Sequence, residues 1–566
     1  MASPGDRDPW TLLAATTAFL LPVAFSPNVY ATFWAPKAAV VLVAGGFGLA
    51  RVPAALGAPA SRRPMQSALA LLAVSCASTL LSPRPLNALV GLHNWGTGLV
   101  FVACLVGMFA LGATTADDRR VRVALLAGIG LSCLVGVLQV AADLSLPSLE
   151  VHGRPTGLAG NAAQVGALAA AGAAVCAAGR HRAWLLGVLV GAAVAQLTGT
   201  RIALLALVLA VALAGVRLGW RRLAALAVVV ALGVGAGTAL GTAGGVPTAT
   251  ARANEQLLAG GGGGGIRVRA EIWASARHAL LERPVLGHGP GRFGAATSAD
   301  RTLDVVRIAG SGANNVDAHN IVVEHAVTTG VLGAAALLAW LTLALRRARG
   351  WPLFGAIPLG LVGLTQPQSV GTTPLLFLLL GAAIAVAPSA TSRRLTARPL
   401  LVAGALGTAA AGTLLVGNVA LLDARNGLLV EDARRADDLI GVWPLPATIT
   451  ARAYAFAALD TEDPVRREEL AAAARSWYLE AAARDVSDPE AWITLAERER
   501  ADGLLDEAER HHRAALEWDP FSLRAFIGLG HIEVARGDPS AAREWFERAY
   551  DLDPSADVRA LIDAQR

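Results

Sequence analysis

The chain has 566 residues, of which 54% are hydrophobic and only 16% charged, and its mean hydropathy is +0.50; that balance excludes an ordinary soluble enzyme and calls for a membrane protein. Charge is unevenly divided, with 30 Arg/Lys against 13 Asp/Glu in residues 1–422 and 18 against 30 in 423–566. The sequence pI near 9.4 therefore describes neither part, and arginines flanking membrane spans account for it without nucleic acid.

In chain order, recurrent apolar runs of about 15 to 25 residues, long enough to cross a bilayer with some tilt, predict thirteen spans. They fall near 10–25, 36–50, 65–82, 97–113, 121–142, 157–178, 183–199, 201–216, 221–245, 319–345, 351–366, 372–388 and 399–422. The first does not read as a cleavable signal, because MASPGDRDP is hardly basic and no small-residue cleavage site follows. Arginine placement gives an independent phase. Alternate loops hold Arg51/Arg62/Arg63, Arg119/Arg120/Arg122, Arg180/Arg182, Arg217/Arg221/Arg222, Arg346/Arg347/Arg349 and Arg393/Arg394/Arg398, and the loops between hold almost none. By the positive-inside rule the clusters and the N-terminus are cytoplasmic, while loops 143–156, 198–200, 246–318 and everything after 422 are outside. Cys76, Cys104, Cys133 and Cys176 all lie in apolar spans and read as small packing residues, with no disulfide framework.

Span centres carry only amides such as Gln139, Gln164, Gln196 and Asn418, which disfavours a transporter, whose midplane charges persist for function. Polar groups collect instead on the outer side. Arg201, in Thr198-Gly-Thr-Arg201, is a lone arginine at an outer mouth, read either as a snorkelling interfacial residue or as a functional one. Gly260 to Gly265 form a flexible tether. The segment Ile266 to Gly294 follows, with Ile272, Trp273, Ala276 and Leu280 at helical spacing on one face of an amphipathic helix. Gly287-His-Gly-Pro-Gly-Arg-Phe-Gly294 is no dinucleotide fingerprint, since Arg292 takes the third glycine position and Pro290 removes an amide; it reads as a tight turn. In Asp317-Ala-His-Asn320, Asp317 is the expected N-cap and His319 the first turn, where the helix dipole disfavours imidazolium. An uncharged imidazole there suits proton abstraction from a hydroxyl, and a plain capping or interfacial histidine is the competing reading. Glu324 and His325 read as packing groups. No acidic or histidine cluster has metal-ligand spacing on the outer side, so no metal site is expected.

The acidic tail repeats at 34 residues: Trp492 with Phe526, Leu495 with Leu529, Ala508 with Ala542, Ala515 with Ala549 and Pro520 with Pro554. That is the tetratricopeptide period. Residues 451–486 look like a degenerate earlier copy. Such arrays bind partner proteins or cap an assembly.

The ordered motifs resemble the O-antigen ligases and polymerases of bacterial envelopes. They are Asn161 in GLAGNAAQVG, TGTR at Thr198–Arg201, RxxxW at Arg269–Trp273, PVLGHGPGRF at Pro284–Phe293, and His319-Asn320 followed by Gly330 and Gly333. The resemblance covers most of 30–385. It implies an all-α, GT-C-like bundle of about thirteen spans (1–422, with the large outer loop 246–318) and an outer tetratricopeptide solenoid (423–566). It implies a metal-independent transfer of a glycan from a polyprenyl-diphosphate carrier, without cofactor, to a glycan, lipid or protein hydroxyl outside the cytoplasmic membrane. Carried over by position, Arg201 and Arg269 would bind the diphosphate, His319 would activate the acceptor, and Asn161, Arg292 and Asn320 would line the substrate site. Relatives usually have about twelve spans with both ends inside; a thirteenth carries the tail outside. A repeat-unit polymerase, and a non-catalytic scaffold acting through its repeats, are the alternatives.

Overall fold

A computed structural model describes residues 8–93, 97–115, 119–145, 153–258, 264–309, 316–385 and 401–565. Among these residues every regular element is helical. Each of the thirteen expected spans coincides with a helix. Five are long and apolar enough to cross a membrane unaided: Arg119–Ala141, Arg201–Leu218, Trp220–Ala243, Ile321–Leu345 and Leu401–Gly427. Pro9–Val23, Trp34–Leu49, Leu99–Thr114, Ala162–Ala177, Trp184–Leu197, Gly350–Gly363 and Thr373–Ile384 are shorter apolar helices of 10–17 residues. The remaining expected span is the helix Arg62–Leu80. This is a multi-pass membrane protein.

Small residues explain how so many helices pack. Ala162–Ala177 is buried at every position except Gln164, and Gly191 of the neighbouring helix lies so close that a Cβ there would meet the Ala169 carbonyl at 2.6 Å. With lipid outside, close backbone approach and dispersion replace the hydrophobic effect as the packing force. Trp340 supplies the bulk, with its ring 5.2 Å from Phe109 and 4.3 Å from Phe377.

The arginine clusters share one face. Arg347 donates to the carbonyls of Pro59 and Ala60 at 2.9 and 2.7 Å, Arg222 to Gly179 at 2.8 Å and Arg122 to Val175 at 3.3 Å. The cluster at 393–398 lies outside the described residues. The opposite face carries the repeat tail, tied down by Trp443 Nε1 donating to the Gly91 carbonyl at 2.8 Å and Asn87 Nδ2 to the Arg484 carbonyl at 3.3 Å. The amides expected at span centres sit toward this tail face and secure its loops. Gln139 Oε1 accepts from the N–H groups of Thr156 and Gly157, Gln196 Nε2 donates to Thr250, and Asn418 Oδ1 accepts from Ala31 N–H.

Ile321–Leu345 is not the continuous span expected. Gly330 adopts φ 68° and breaks it, which frees backbone groups that hydrocarbon cannot satisfy. The segment expected to be a tight turn supplies them: Val331 N–H donates to Pro284 O at 2.8 Å, His288 N–H to Val327 O at 3.1 Å and Gly289 N–H to Thr328 O at 2.9 Å. The PVLGHGP run is thus a plug inserted at the helix break. A Cβ at Gly330 would collide with the Val285 carbonyl, in a left-handed conformation that already costs a non-glycine residue about 1–3 kcal/mol. Gly330→Ala is therefore expected to lower the unfolding midpoint in detergent; an unchanged midpoint would contradict this account of the break.

The tail forms antiparallel helix pairs. Pro489–Ala501 with Leu505–Trp518, then Leu523–Arg536 with Pro539–Leu552, begin 34 residues apart. The matched positions Leu495, Leu529, Ala508, Ala542, Ala515 and Ala549 are all buried, as tetratricopeptide packing requires.

Candidate functional site

Arg201 opens its helix after the Thr198–Thr200 turn. Gly199 takes φ 65° there, and a Cβ on it would meet the Pro247 carbonyl at 2.6 Å. Two arginines brace this turn. Arg154 donates from Nε to the Thr198 carbonyl at 2.7 Å and from Nη2 to Thr200 Oγ1 at 2.9 Å, and Arg252 Nη1 donates to the Gly199 carbonyl at 3.0 Å. Arg201 Nη1 in turn reaches the Arg252 carbonyl at 3.5 Å. The charges acting on Arg154, Arg201 and Arg269 are other arginines. Burial and then the charges of Arg252 and Arg201 push Arg154 down to about 10; burial and then Arg201 lower Arg269 from the usual guanidinium range. The Nε of Arg269 is buried without a protein partner. Such a concentration of cations with an orphaned donor is complementary to an anion.

Arg269 lies on the helix Gly264–Glu282. The expected tether at 260–263 is outside the described residues, and Gly264 and Gly265 already belong to this helix. One turn beyond Arg269, on the same face, Trp273 Nε1 donates to the Ala318 carbonyl at 2.9 Å. That contact sets Arg269 beside the histidine turn.

His319 is at φ 52° and precedes the helix rather than occupying its first turn. The cap is Asn320, whose Oδ1 accepts from the N–H groups of Val322 and Val323 at 2.8 and 3.2 Å. Asp317, expected as the N-cap, instead accepts from the His319 N–H and from Gln368 N–H at 3.3 Å. Its carboxyl is raised by burial, an effect opposed by the His319 and Gln368 hydrogen bonds. His319 therefore faces a carboxylate as well as a helix terminus: Nδ1 is 3.3 Å from the Asp317 carbonyl and 3.9 Å from its Oδ1. Donation from Nδ1 to that carbonyl fixes the tautomer in which Nε2 is the free base. The imidazole is 34% exposed, accessible to a substrate. Glu324 reaches back to the Ala318 N–H at 3.0 Å, and His325 is buried, so both serve the local packing.

A cavity of about 480 Å³ lies beside the Asn161 cap and the start of the helix that follows His319. Asn161, Lys37 and Gln164 line one side, Ile321 and Gln368 the other, and it continues along the same helix to Leu345. Asn161 caps its own helix through Ala163 N–H at 2.8 Å, and the adjacent Ala162 carbonyl accepts from Thr200 Oγ1 at 3.4 Å. The Asn161 cap thus abuts the Arg201 turn. Through these contacts Arg201 and Asn161, and the Arg269 helix and the His319–Asn320 turn, are brought together in pairs, and Arg201 acts on Arg269. Arg292 is not: it is buried against the tail, donating to Asp485 Oδ2 and Ser487 Oγ at 2.8 Å each, and is an interface residue. Arg154 and Arg252 were not singled out by the sequence: Arg154 is a lone arginine of a short outer loop, as Arg201 is, but Arg252 is one of eight arginines in 246–318.

Fold and site together define a polytopic membrane protein with a group of arginines at its helix ends and a repeat tail. Residues 186–338 match a model of the O-antigen ligase family, and the match includes Arg201, Arg252, Arg269, His319 and Asn320. Among solved structures, a thermophilic TPR protein from Thermus thermophilus is similar at 15% identity, over 30% of this chain and 91% of that one, with a TM-score of 0.25. No curated protein matches.

Proposed function

We propose that the protein transfers an oligo- or polysaccharide from a polyprenyl-diphosphate carrier to an acceptor hydroxyl on the outer side of the cytoplasmic membrane. In this reading the arginine-cluster face is cytoplasmic and the repeat tail periplasmic or extracellular, as the positive-inside rule requires. The observation that carries the proposal is the group of Arg154, Arg201, Arg252 and Arg269, which has no carboxylate partner among the described residues, with Arg269 one helical turn from the Trp273 contact beside His319. The elongated cavity, polar at Asn161 and Gln368 and apolar toward Leu345, suits an amphiphilic carrier.

In the reaction the acceptor oxygen attacks the anomeric carbon while its proton passes to Nε2 of His319. The bond from that carbon to the diphosphate oxygen breaks, and its electron pair leaves on the lipid diphosphate. Guanidinium groups neutralise the charge that grows on the leaving group, so a general acid is unnecessary. Arg154 and Arg252 hold the Arg201 turn, and Asp317 orients the base.

Purified protein in detergent, supplied with a polyprenyl-diphosphate glycan and an acceptor, is expected to consume donor at an unchanged rate when EDTA is added. Strict dependence on added divalent metal would refute the arginine-based scheme. Single addition of the donor glycan marks a ligase, and a ladder of lengthening products a polymerase.

A further inference from the structure

We propose that the repeat tail is a working part of this transfer site, with Asp485, Ser487 and Asp519 acting through Arg292 and Arg301 as positioning residues that keep the arginine and histidine halves in register. The proposal rests on the functional reading above for its kinetic consequences, and on geometry alone for its structural ones.

Two buried contacts join the tail to the segment between the Arg269 helix and His319. Arg292 grips Asp485 and Ser487, with the Arg292 and Asp485 side chains each 8% exposed. Arg301 Nη1 lies 3.4 Å from Asp519 Oδ2, at 2% and 8% exposure. Beside them Val306 packs among Phe526, Ala549, Leu552 and Val558 of the tail. Ion pairs this deeply buried gain little net stability, because desolvation offsets their attraction; fixing register is their best-attested use.

Each contact leads to one half of the site. Arg292 lies two residues beyond the plug whose Gly289 and His288 N–H groups bond Thr328 and Val327, at the break in the helix that begins after His319. Arg301 adjoins Thr302, whose Oγ1 donates to Glu271 Oε2 at 2.9 Å, and Asp300, whose carbonyl accepts from Ser275 Oγ at 2.8 Å. Glu271 lies between Arg269 and Trp273 on their helix. The Asp485 arm therefore secures the histidine half and the Asp519 arm the arginine half. A merely tethered solenoid would need neither arm.

The test compares Asp485→Asn, Asp519→Asn, the charge-keeping Asp519→Glu, and Arg269→Ala in the full chain, by donor kinetics and by amide hydrogen exchange without donor. Asp519→Asn is expected to raise the donor KM about tenfold, and Asp485→Asn to lower kcat about tenfold with KM little changed, the scale on which small misplacements act. Asp519→Glu should recover part of the loss. Exchange should quicken in 264–282 for Asp519→Asn and in 284–292 and 321–329 for Asp485→Asn, with Ala162–Ala177 unaffected. Wild-type kinetics and exchange in both variants would overturn the proposal, as would a uniform rise in exchange with an equal fall in kcat. Full activity of Arg269→Ala would instead sink the functional reading and leave the exchange result to judge the brace.

Discussion

Arg269→Ala is expected to reduce consumption of a polyprenyl-diphosphate glycan by about 10²- to 10³-fold, the loss typical of removing one donor aimed at developing anionic charge. The expectation follows from the surroundings of this guanidinium. Its Nε is buried and unpartnered, the neighbouring charge that bears on it is Arg201, and its helix is locked to the histidine turn by Trp273. Truncation relieves repulsion within the arginine group, so the variant should fold at least as well as the parent. A variant that keeps its unfolding midpoint and loses turnover separates a chemical role from a structural one. Arg269→Lys should recover only part of the rate, because an ammonium cannot make the bidentate contact to phosphate oxygens. Near-normal turnover in the alanine variant would contradict the assignment.

His319→Ala is expected to lower turnover by about 10²- to 10⁴-fold, the range for losing a positioned general base. Donor affinity should change little, since the arginines remain. The imidazole makes no helix-capping contact of its own; Asn320 caps the helix and Asp317 bonds the backbone N–H of residue 319, an interaction any side chain leaves intact. Alanine tolerates φ 52° less readily than histidine, so a modest loss of stability accompanies the change. Added imidazole should restore part of the rate in the alanine variant. A loss of donor binding equal to the loss of rate would instead make His319 a ligand for the carrier.

Much of the bundle was legible because apolar run length and arginine phase are strong, redundant signals: all thirteen expected spans are helices, and the five described arginine clusters lie away from the tail. The 34-residue period was equally plain, since buried alanines such as Ala508 and Ala542 leave no freedom at those positions. What escaped the sequence was long-range backbone pairing. Nothing in GHGPGRFG announces that it fills a gap at Gly330, because the pairing uses N–H and C=O groups that every residue carries. The histidine turn failed at the cap for a related reason. Asp317 and Asn320 are both good cap residues, and the choice was made by Gln368, about fifty positions later, whose N–H draws the Asp317 carboxylate away. Arg292 looked like its neighbours in the motif; only the fold of the tail reveals that Asp485 claims it. Arg154 carried the lone-arginine signal of Arg201, whereas Arg252 did not stand out among the eight arginines of 246–318, because bracing a turn through carbonyls has no residue pattern.

Whether Arg201 and Arg269 form one diphosphate site opening beside His319 is decided by a binding isotherm. Polyprenyl diphosphate and the monophosphate of the same chain would be titrated into the full protein and into Arg201→Ala, Arg269→Ala and the double variant. The parent is expected to bind the diphosphate more tightly, each single variant to lose that preference, and the double variant to show a non-additive effect because the two groups share one ligand. Equal affinity for both lipids, or independent additive losses, would place the two arginines on separate sites.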